Sequence, residues 1–497
     1  MTPTLTECSA ETYSFGRLGR RQVVAEFSAE PISTDGGLLL IAEIDQRLRL
    51  SERLAACFSD QRDASRVQHE LSDLVAQRLY GLVQGYEDLN DHERLRHDRI
   101  FQVAVGSVES EHSRCAPLAG KSTLNRLEQA MHVSIDLSES RYVKYVLDPQ
   151  QLESTLVELF IEQETQAGVP PKQIIIDLDV SHDPVHGDQI LAFYNGYYDQ
   201  TCYAPLFIFC GRYLLGAKLR PSNVDPAEGA LPELQRIIAQ IRTHWPDVVI
   251  VVRGDSAYGR DDIMSWCEGQ PNVDYVLAHA SNDRLVTYTR SLESRAKAAY
   301  EQRRQEIAAS LAPLLSDTDL SAELDPLVPP EVWYQSIAYR TLESWSCERR
   351  VVCKLTYGAS GAHRHFVVTS FPIEQVSASQ LHADYYCPRG EMENRIKEHQ
   401  LDLFSDRTST HEFESNQLRL WFSSFAYVLM QALRQHLLVG TELANAQLGT
   451  IRLKLLKLGA QVRISVRRIR VAFSQHWPGQ SLFHRAYQQL QQLPRPG

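Results

Sequence analysis

The chain has 497 residues, of which 43% are hydrophobic and 23% charged, so it is too long for one ordinary domain and carries no low-complexity bias. No apolar run approaches the roughly 20 residues that span a bilayer, and the start, MTPTLTECSAETYSFGR, lacks a signal-peptide core, which argues against a membrane or secreted protein. Net charge is −11 but uneven: Leu443–Gly497 holds no Asp or Glu and carries +9, leaving −20 on the rest.

Such a tail is either a polyanion-binding element on an acidic body or a solvated basic face that offsets that body. Cysteines at 8, 57, 115, 202, 210, 267, 347, 353 and 387 form no CxxC pair and no zinc spacing. Reduced thiols and a cytoplasmic location are the expectation.

RQVVAEFS (21–28) reads as a strand, and ISTDGGLLLIAEIDQRL as a turn followed by an amphipathic helix. Residues 68–86 and 92–105 have helical spacing, with Leu71, Leu74, Val75, Leu79, Leu82 and Val83 on one stripe. KSTLNRLEQAM predicts a helix capped by Ser122 or Thr123. The helices between 90 and 131 suit a helix-turn-helix, and equally any small helical bundle.

From about 172 the pattern changes. KQIIIDLDV predicts a strand, and ILAFYNGYY and APLFIFC, then GRYLLGAKLR, read as further strands joined by hairpins. A helix over 228–245, a strand over 247–257 ending at Asp255, the short helix DDIMSWCEG and the strand VDYVLAHA complete an α/β pattern with a mixed sheet. Residues 283–330 predict a long charged helix and an acidic loop. EVWYQSIAYRTL, SCERRVVCKLTYG and HRHFVVTSF follow as antiparallel strands. SASQLHADYYCPRGEMENRIKEHQLDLF is helical in its second half, 411–438 is another long helix, and RLKLLKL and RISVRRIRVAF read as two short strands.

The chemistry concentrates in DLDVSHDPVHG. Asp177 and Asp179 alternate with Ile and Leu, so both face one side of a strand that reads as buried. Asp255 ends a second strand, and ligands gather beyond strand ends in open α/β sheets. Buried carboxylates are costly unless paired, and an all-oxygen set suits Mg²⁺ or Mn²⁺. The bland readings are a helix cap for Asp255, neutralisation by Arg253, and turn or loop roles for Asp183 and His186. Arg389, Glu393, Lys397 and Gln400 fall on one helix face after Tyr386, a pattern that an exposed ladder of ion pairs also produces.

These stretches together resemble the DDE transposases of bacterial insertion sequences, specifically the thirteen-eighty group. The similarity runs through STDGGLLL, GYEDLND with LRHD, STLNRLE, DLDVSHDPVHGDQ with YNGYY, RGDSAYG and RGEMENRIKE, in that order. It implies a ribonuclease-H-like α/β domain over 170–282 and 373–440, interrupted by a largely β insertion at 283–372. A mainly helical DNA-binding region at 1–150 would precede it, and a basic tail at 441–497 would follow.

The resemblance also implies a catalytic triad. Asp179, followed two residues later by Ser181, is preferred to Asp177 as its first acid, with Asp255 and Glu393 as the others. The helix is similar to a signature of Tyr, Arg, Glu and Lys, with Tyr386, Arg389 and Glu393 in place and Gln400 where Lys is usual; Lys397 could share that role. Two Mg²⁺ ions ~3.5–4 Å apart would serve cleavage at the element's ends and joining of the freed 3′-OH to target DNA. Tyr386, Arg389, Lys397 and Gln400 would contact DNA there, and Arg463, Arg467, Arg468 and Arg470 elsewhere, within a homodimer holding both ends. The rival readings are a metal-dependent nuclease or phosphoesterase using Asp177, Asp179, His182 and His186, and a DNA-binding protein with a decayed site.

Overall fold

The computed structural model describes residues 12–28, 31–107, 117–132, 143–166, 168–311, 324–465 and 467–494. Cys8, Cys115, Arg495 and much of the acidic loop after the long charged helix lie outside them. Seven cysteines are free among the described residues, and no described helix is long and apolar enough to cross a membrane.

The centre is one eight-stranded mixed sheet. In chain order its strands are β1 (Gln173–Val180), β2 (Leu206–Cys210), β3 (Tyr213–Lys218), β4 (Val249–Gly254), β5 (Val273–His279), β6 (Glu331–Tyr339), β7 (Arg349–Gly358) and β8 (Gly361–Thr369). Across the sheet they run β3-β2-β1-β4-β5-β8-β7-β6. β1, β4 and β5 are parallel, and β2 is antiparallel to both its neighbours. The first five strands thus form the ribonuclease-H-like arrangement.

Four helices position the site: α1 (Ala230–His244), α2 (Asp261–Glu268), α3 (Gly390–Lys397) and α4 (Phe413–Ala432). Alternation along β1 decides which face each residue sees. Ile174, Ile176 and Leu178 share a core with Leu234, Ile237 and Ile241 of α1. Asp177 and Asp179 therefore face the opposite side, where Phe207 and Phe209 of β2 pack with α4. α4 is buried nearly all round, which explains why its apolar residues form no single stripe.

The segment 283–372 contributes the helix Arg290–Leu311 and strands β6 to β8, which extend the same sheet from the edge of β5. At the N-terminus a hairpin, Thr12–Leu18 with Arg21–Glu26, precedes helices Leu38–Leu48 and Leu71–Val83, which join the α4 core. Glu128, of the STLNRLE stretch, is buried between Arg78 (2.7 Å) and Arg419 (2.7 Å) and so ties this region to α4. Both partners outweigh burial and hold its carboxyl below the usual range.

Several sequence expectations are corrected. The predicted helix over 92–105 is two helices, His92–Leu95 and Arg99–Val105, because the Asp98 carboxylate accepts the N–H groups of Ile100 and Phe101 and starts a new one. The helix at 121 is capped by Gly120, which leaves Ser122 and Thr123 inside the first turn. RLKLLKL is helical, not a strand: Leu448, Ile451, Leu455 and Leu456 are buried at helical spacing, while its alternation only imitates a period of two. RISVRRIRVAF is by itself a hairpin, β9 (Ala460–Ser465) and β10 (Arg468–Phe473), with β9 also paired to Ile32–Ser33. ILAFYNGYY supplies a strand, Phe193–Asn195, but to a separate three-stranded sheet with Asp183–Pro184 and Gln200–Tyr203.

Candidate active site

The register of two parallel strands brings the first two acids together. Arg253 of β4 lies level with Asp177 of β1, and Gly254 with Leu178, so Asp255 follows at the level of Asp179. Arg253 and Asp177 form one layer, and Asp179 and Asp255 form the next, at the carboxyl ends of both strands.

The inner layer is closed. Arg253 grips Asp177 with Nε on Oδ1 and Nη2 on Oδ2 (2.8 Å), and its Nη1 donates to the Tyr385 carbonyl. Both side chains are buried. Burial pushes the Asp177 carboxyl up, and Arg253 works against that push.

The outer layer meets Arg389, which stands just before α3. Its Nη1 donates to Asp179 Oδ2 at 2.8 Å and its Nη2 to Glu393 Oε1 at 3.2 Å, the latter one turn further along the helix. Asp179 Oδ1 also accepts the Val180 N–H (3.0 Å). The Asp179 carboxyl is pushed up to about 6, chiefly by burial, with Arg389 opposing and Asp255 adding to the shift. Asp255 caps the single turn Ser256–Tyr258 through the Ala257 N–H (2.9 Å), and Arg253 is not its partner. Burial works against the charge of Arg389, but Asp179, Tyr386, Asp255 and Glu393 outweigh it and raise its pKa. Asp179 and Glu393, from distant parts of the chain, therefore share one guanidinium, and Asp255 stands level with Asp179 at the end of the neighbouring strand. Among the described residues no three His, Cys, Asp or Glu side chains are gathered as a ready-made ion cage.

The remaining predicted residues divide. Tyr386 is half-buried, its ring 4.7 Å from that of His365, and burial pushes its phenol up. Lys397 is exposed one turn after Glu393. Gln400 points elsewhere: its Nε2 donates to Asp183 Oδ1 (2.8 Å) and the His182 carbonyl (3.1 Å), and its Oε1 accepts the Ser181 hydroxyl (3.0 Å). The amide expected on DNA is engaged inside the protein. Asp183 is fully buried and its carboxyl is pushed well above the usual range by burial, with Gln400 opposing. His182 stacks on Tyr198 at 4.3 Å and His186 is exposed, so Asp177, Asp179, His182 and His186 do not meet as a nuclease site.

Two tyrosines outside the expected set border the acids. Tyr258 is fully buried and Tyr198 half-buried, and both phenols are raised first by burial, with Asp179 and Asp255 adding. Their stretches, RGDSAYG and YNGYY, carried the only sequence signal for them.

In the tail, Arg463 of β9 lies directly opposite Arg470 of β10, and Ser465 opposite Arg468, on one exposed face with Arg467 in the turn. The other face carries Val462, Ile464, Ile469 and Val471. Not all tail cations are available: Arg452 is buried on the Val83 carbonyl (2.7 Å), and Lys457 pairs with Asp35 (2.7 Å).

A family model described as "Transposase DDE domain group 1" matches residues 15–495. The chain belongs to the DDE transposase family. An enzyme of this family cleaves and joins DNA. No curated protein matches the sequence. Among solved structures, this transposase is similar to the "piggyBac transposase synaptic complex with hairpin DNA", at 10% identity and a TM-score of 0.35, over 85% of this chain and 80% of that chain.

Proposed function

We propose that this transposase binds the terminal inverted repeats of an insertion sequence of the thirteen-eighty group. It cleaves DNA at their ends and joins the 3′-OH ends to target DNA, with Asp179, Asp255 and Glu393 as the catalytic acids. The reading is supported by the Arg389 bridge between Asp179 and Glu393, with Asp255 level with Asp179 on the adjacent parallel strand.

The donor set fits the divalent cations expected of the family. It is all oxygen, two of its acids end adjacent strands and the third faces them from α3, and Asp179 and Glu393 already hold a positive charge in Arg389. Two Mg²⁺ or Mn²⁺ ions held by Asp179, Asp255 and Glu393 would polarise the scissile phosphodiester and offset charge on the leaving 3′ oxygen. Arg389, released from Asp179 and Glu393, has a planar fork suited to a DNA phosphate, and Tyr386 and Lys397 flank it. Gln400 instead clasps the chain that leaves β1 to the helix continuing from α3, which fixes the spacing between Asp179 and Glu393.

The elevated Asp179 carboxyl sets a pH dependence. Below about 6 it is protonated, and a cation must first displace that proton. Mn²⁺ affinity without DNA is expected to fall roughly tenfold per pH unit below about 6. Calorimetric titrations across that range test it, and a flat profile would discard the assignment.

Arg463, Arg468 and Arg470 share one exposed face of the tail hairpin, with Arg467 in its turn, an array suited to DNA phosphates. Replacing Arg463, Arg467, Arg468 and Arg470 by Ala should reduce the slope of log affinity against log salt by roughly 3 to 4. Filter binding over a salt series measures it; an unchanged slope removes the hairpin from the interface. The exposed residues Lys121, Ser122 and Arg126 of the helix Lys121–Glu128 are proposed to read the repeat sequence in a DNA-bound homodimer.

A further inference from the structure

We propose that Tyr197 is a stacking platform for an unpaired DNA base beside the bond being cut, an assignment that rests on the transposase reading above. Tyr197 is 89% exposed, so folding gains almost nothing from its side chain. It is nevertheless held in place. The Asn195 side chain accepts the N–H groups of Tyr197 (2.9 Å) and Tyr198 (3.4 Å) and donates to the Ser222 carbonyl (2.7 Å). The Ser222 hydroxyl in turn donates to the Phe193 carbonyl (2.8 Å), which closes the frame. A turn built this way fixes the backbone from which the Tyr197 ring projects.

Position gives the ring its partner. Tyr197 stands edge-on to Tyr198 at 4.9 Å, and Tyr198 stacks on His182 at 4.3 Å, in the loop that leaves β1 just after Asp179. His182 lies three residues after Asp179, so the aromatic row runs from solvent to the chain that leaves the first catalytic acid. Tyr194 (63% exposed) lies on the strand Phe193–Asn195 that leads into this turn. Bases inside a duplex are already stacked on each other, whereas an opened end offers a free π-face, which an aromatic ring accepts whatever the sequence. A surface continuous with the cleavage site therefore suits an unpaired base better than a protein partner.

The test uses the full chain without divalent cation, so that no strand is cut. Its probes are a short duplex with an unpaired tail carrying 2-aminopurine and the fully paired duplex of the same sequence. The parent should bind the tailed probe and quench its fluorescence. Tyr197→Ala should lose the quench and bind that probe roughly five- to a hundredfold more weakly, leaving the paired duplex unaffected, while Tyr197→Trp retains both. Quenching and affinity equal to the parent in Tyr197→Ala, or an equal loss on both probes, overturns the platform. Failure of the parent to bind either DNA overturns the DNA-end reading itself, and the platform with it.

Discussion

Asp179→Asn and Asp255→Asn are each expected to lower single-turnover strand cleavage by at least about 10³-fold, since the cation-held charge stabilisation proposed for them would amount to several kcal/mol. Binding to the same DNA ends should stay within about twofold, because Asp179 is buried beneath Arg389 and makes no surface of its own. Stability should not suffer. A carboxyl raised from 3.8 to about 6 on folding contributes stability only at low pH. That contribution is complete below the unfolded value and is lost as pH rises through the folded one. At neutral pH the ionised group is therefore a burden, which the amide removes while still accepting the Arg389 hydrogen bond. A nicking assay beside a gel-shift assay reads both quantities. Cleavage by either variant within tenfold of the parent would end the assignment of these acids.

Much of this arrangement is legible in the sequence because short-range physics decides it. IIIDLDV can only be a buried strand with both carboxylates on one face, and VVIVVRGD places a third acid at the end of a second strand. Two antiparallel reversals at β2 and β3 followed by the crossover helix α1 leave β4 parallel to β1, and the shared level of Asp179 and Asp255 follows from that register. Long-range pairing is what sequence leaves open. Arg253 is two residues from Asp255, yet it turns to Asp177 across the sheet. Gln400 sits at a helix position expected to meet DNA, yet Ser181, His182 and Asp183 occupy its amide. Neither choice has a periodicity that could announce it.

The tail teaches the same point from the other side. Its alternation of Arg, Lys and apolar residues holds for β9 and β10 but fails for RLKLLKL, where neighbours supply a core at helical spacing. Gly36 and Gly37 show why that segment is held so closely. A Cβ on Gly37 would lie 2.4 Å from Leu456 Cα, and the Gly36 and Gly37 N–H groups donate to the carbonyls of Leu458 (2.8 Å) and Leu456 (3.1 Å). STDGGLLL is thus a joint between the two ends of the chain, packed against the segment that precedes the basic hairpin.

Asp177, two residues from Asp179, should behave in the opposite way. Asp177→Ala leaves the Arg253 guanidinium buried and without its carboxylate, and breaking a pair of this kind costs about 3–5 kcal/mol. Because Arg253 also donates to the Tyr385 carbonyl, the loss extends to the helix that carries Tyr386 and Arg389. The double variant Asp177→Leu with Arg253→Met removes both charges and fills the space with apolar groups, so its stability should return to within about 1 kcal/mol of the parent or exceed it. Urea denaturation of the two single variants and the double variant measures the coupling. A double variant as unstable as Asp177→Ala would mean that the pair itself, and not the stranded cation, supports the sheet. A double variant that regains stability and still cuts DNA would separate the two neighbouring acids by role, one as a counter-ion inside the sheet and the other as a catalytic group at its edge.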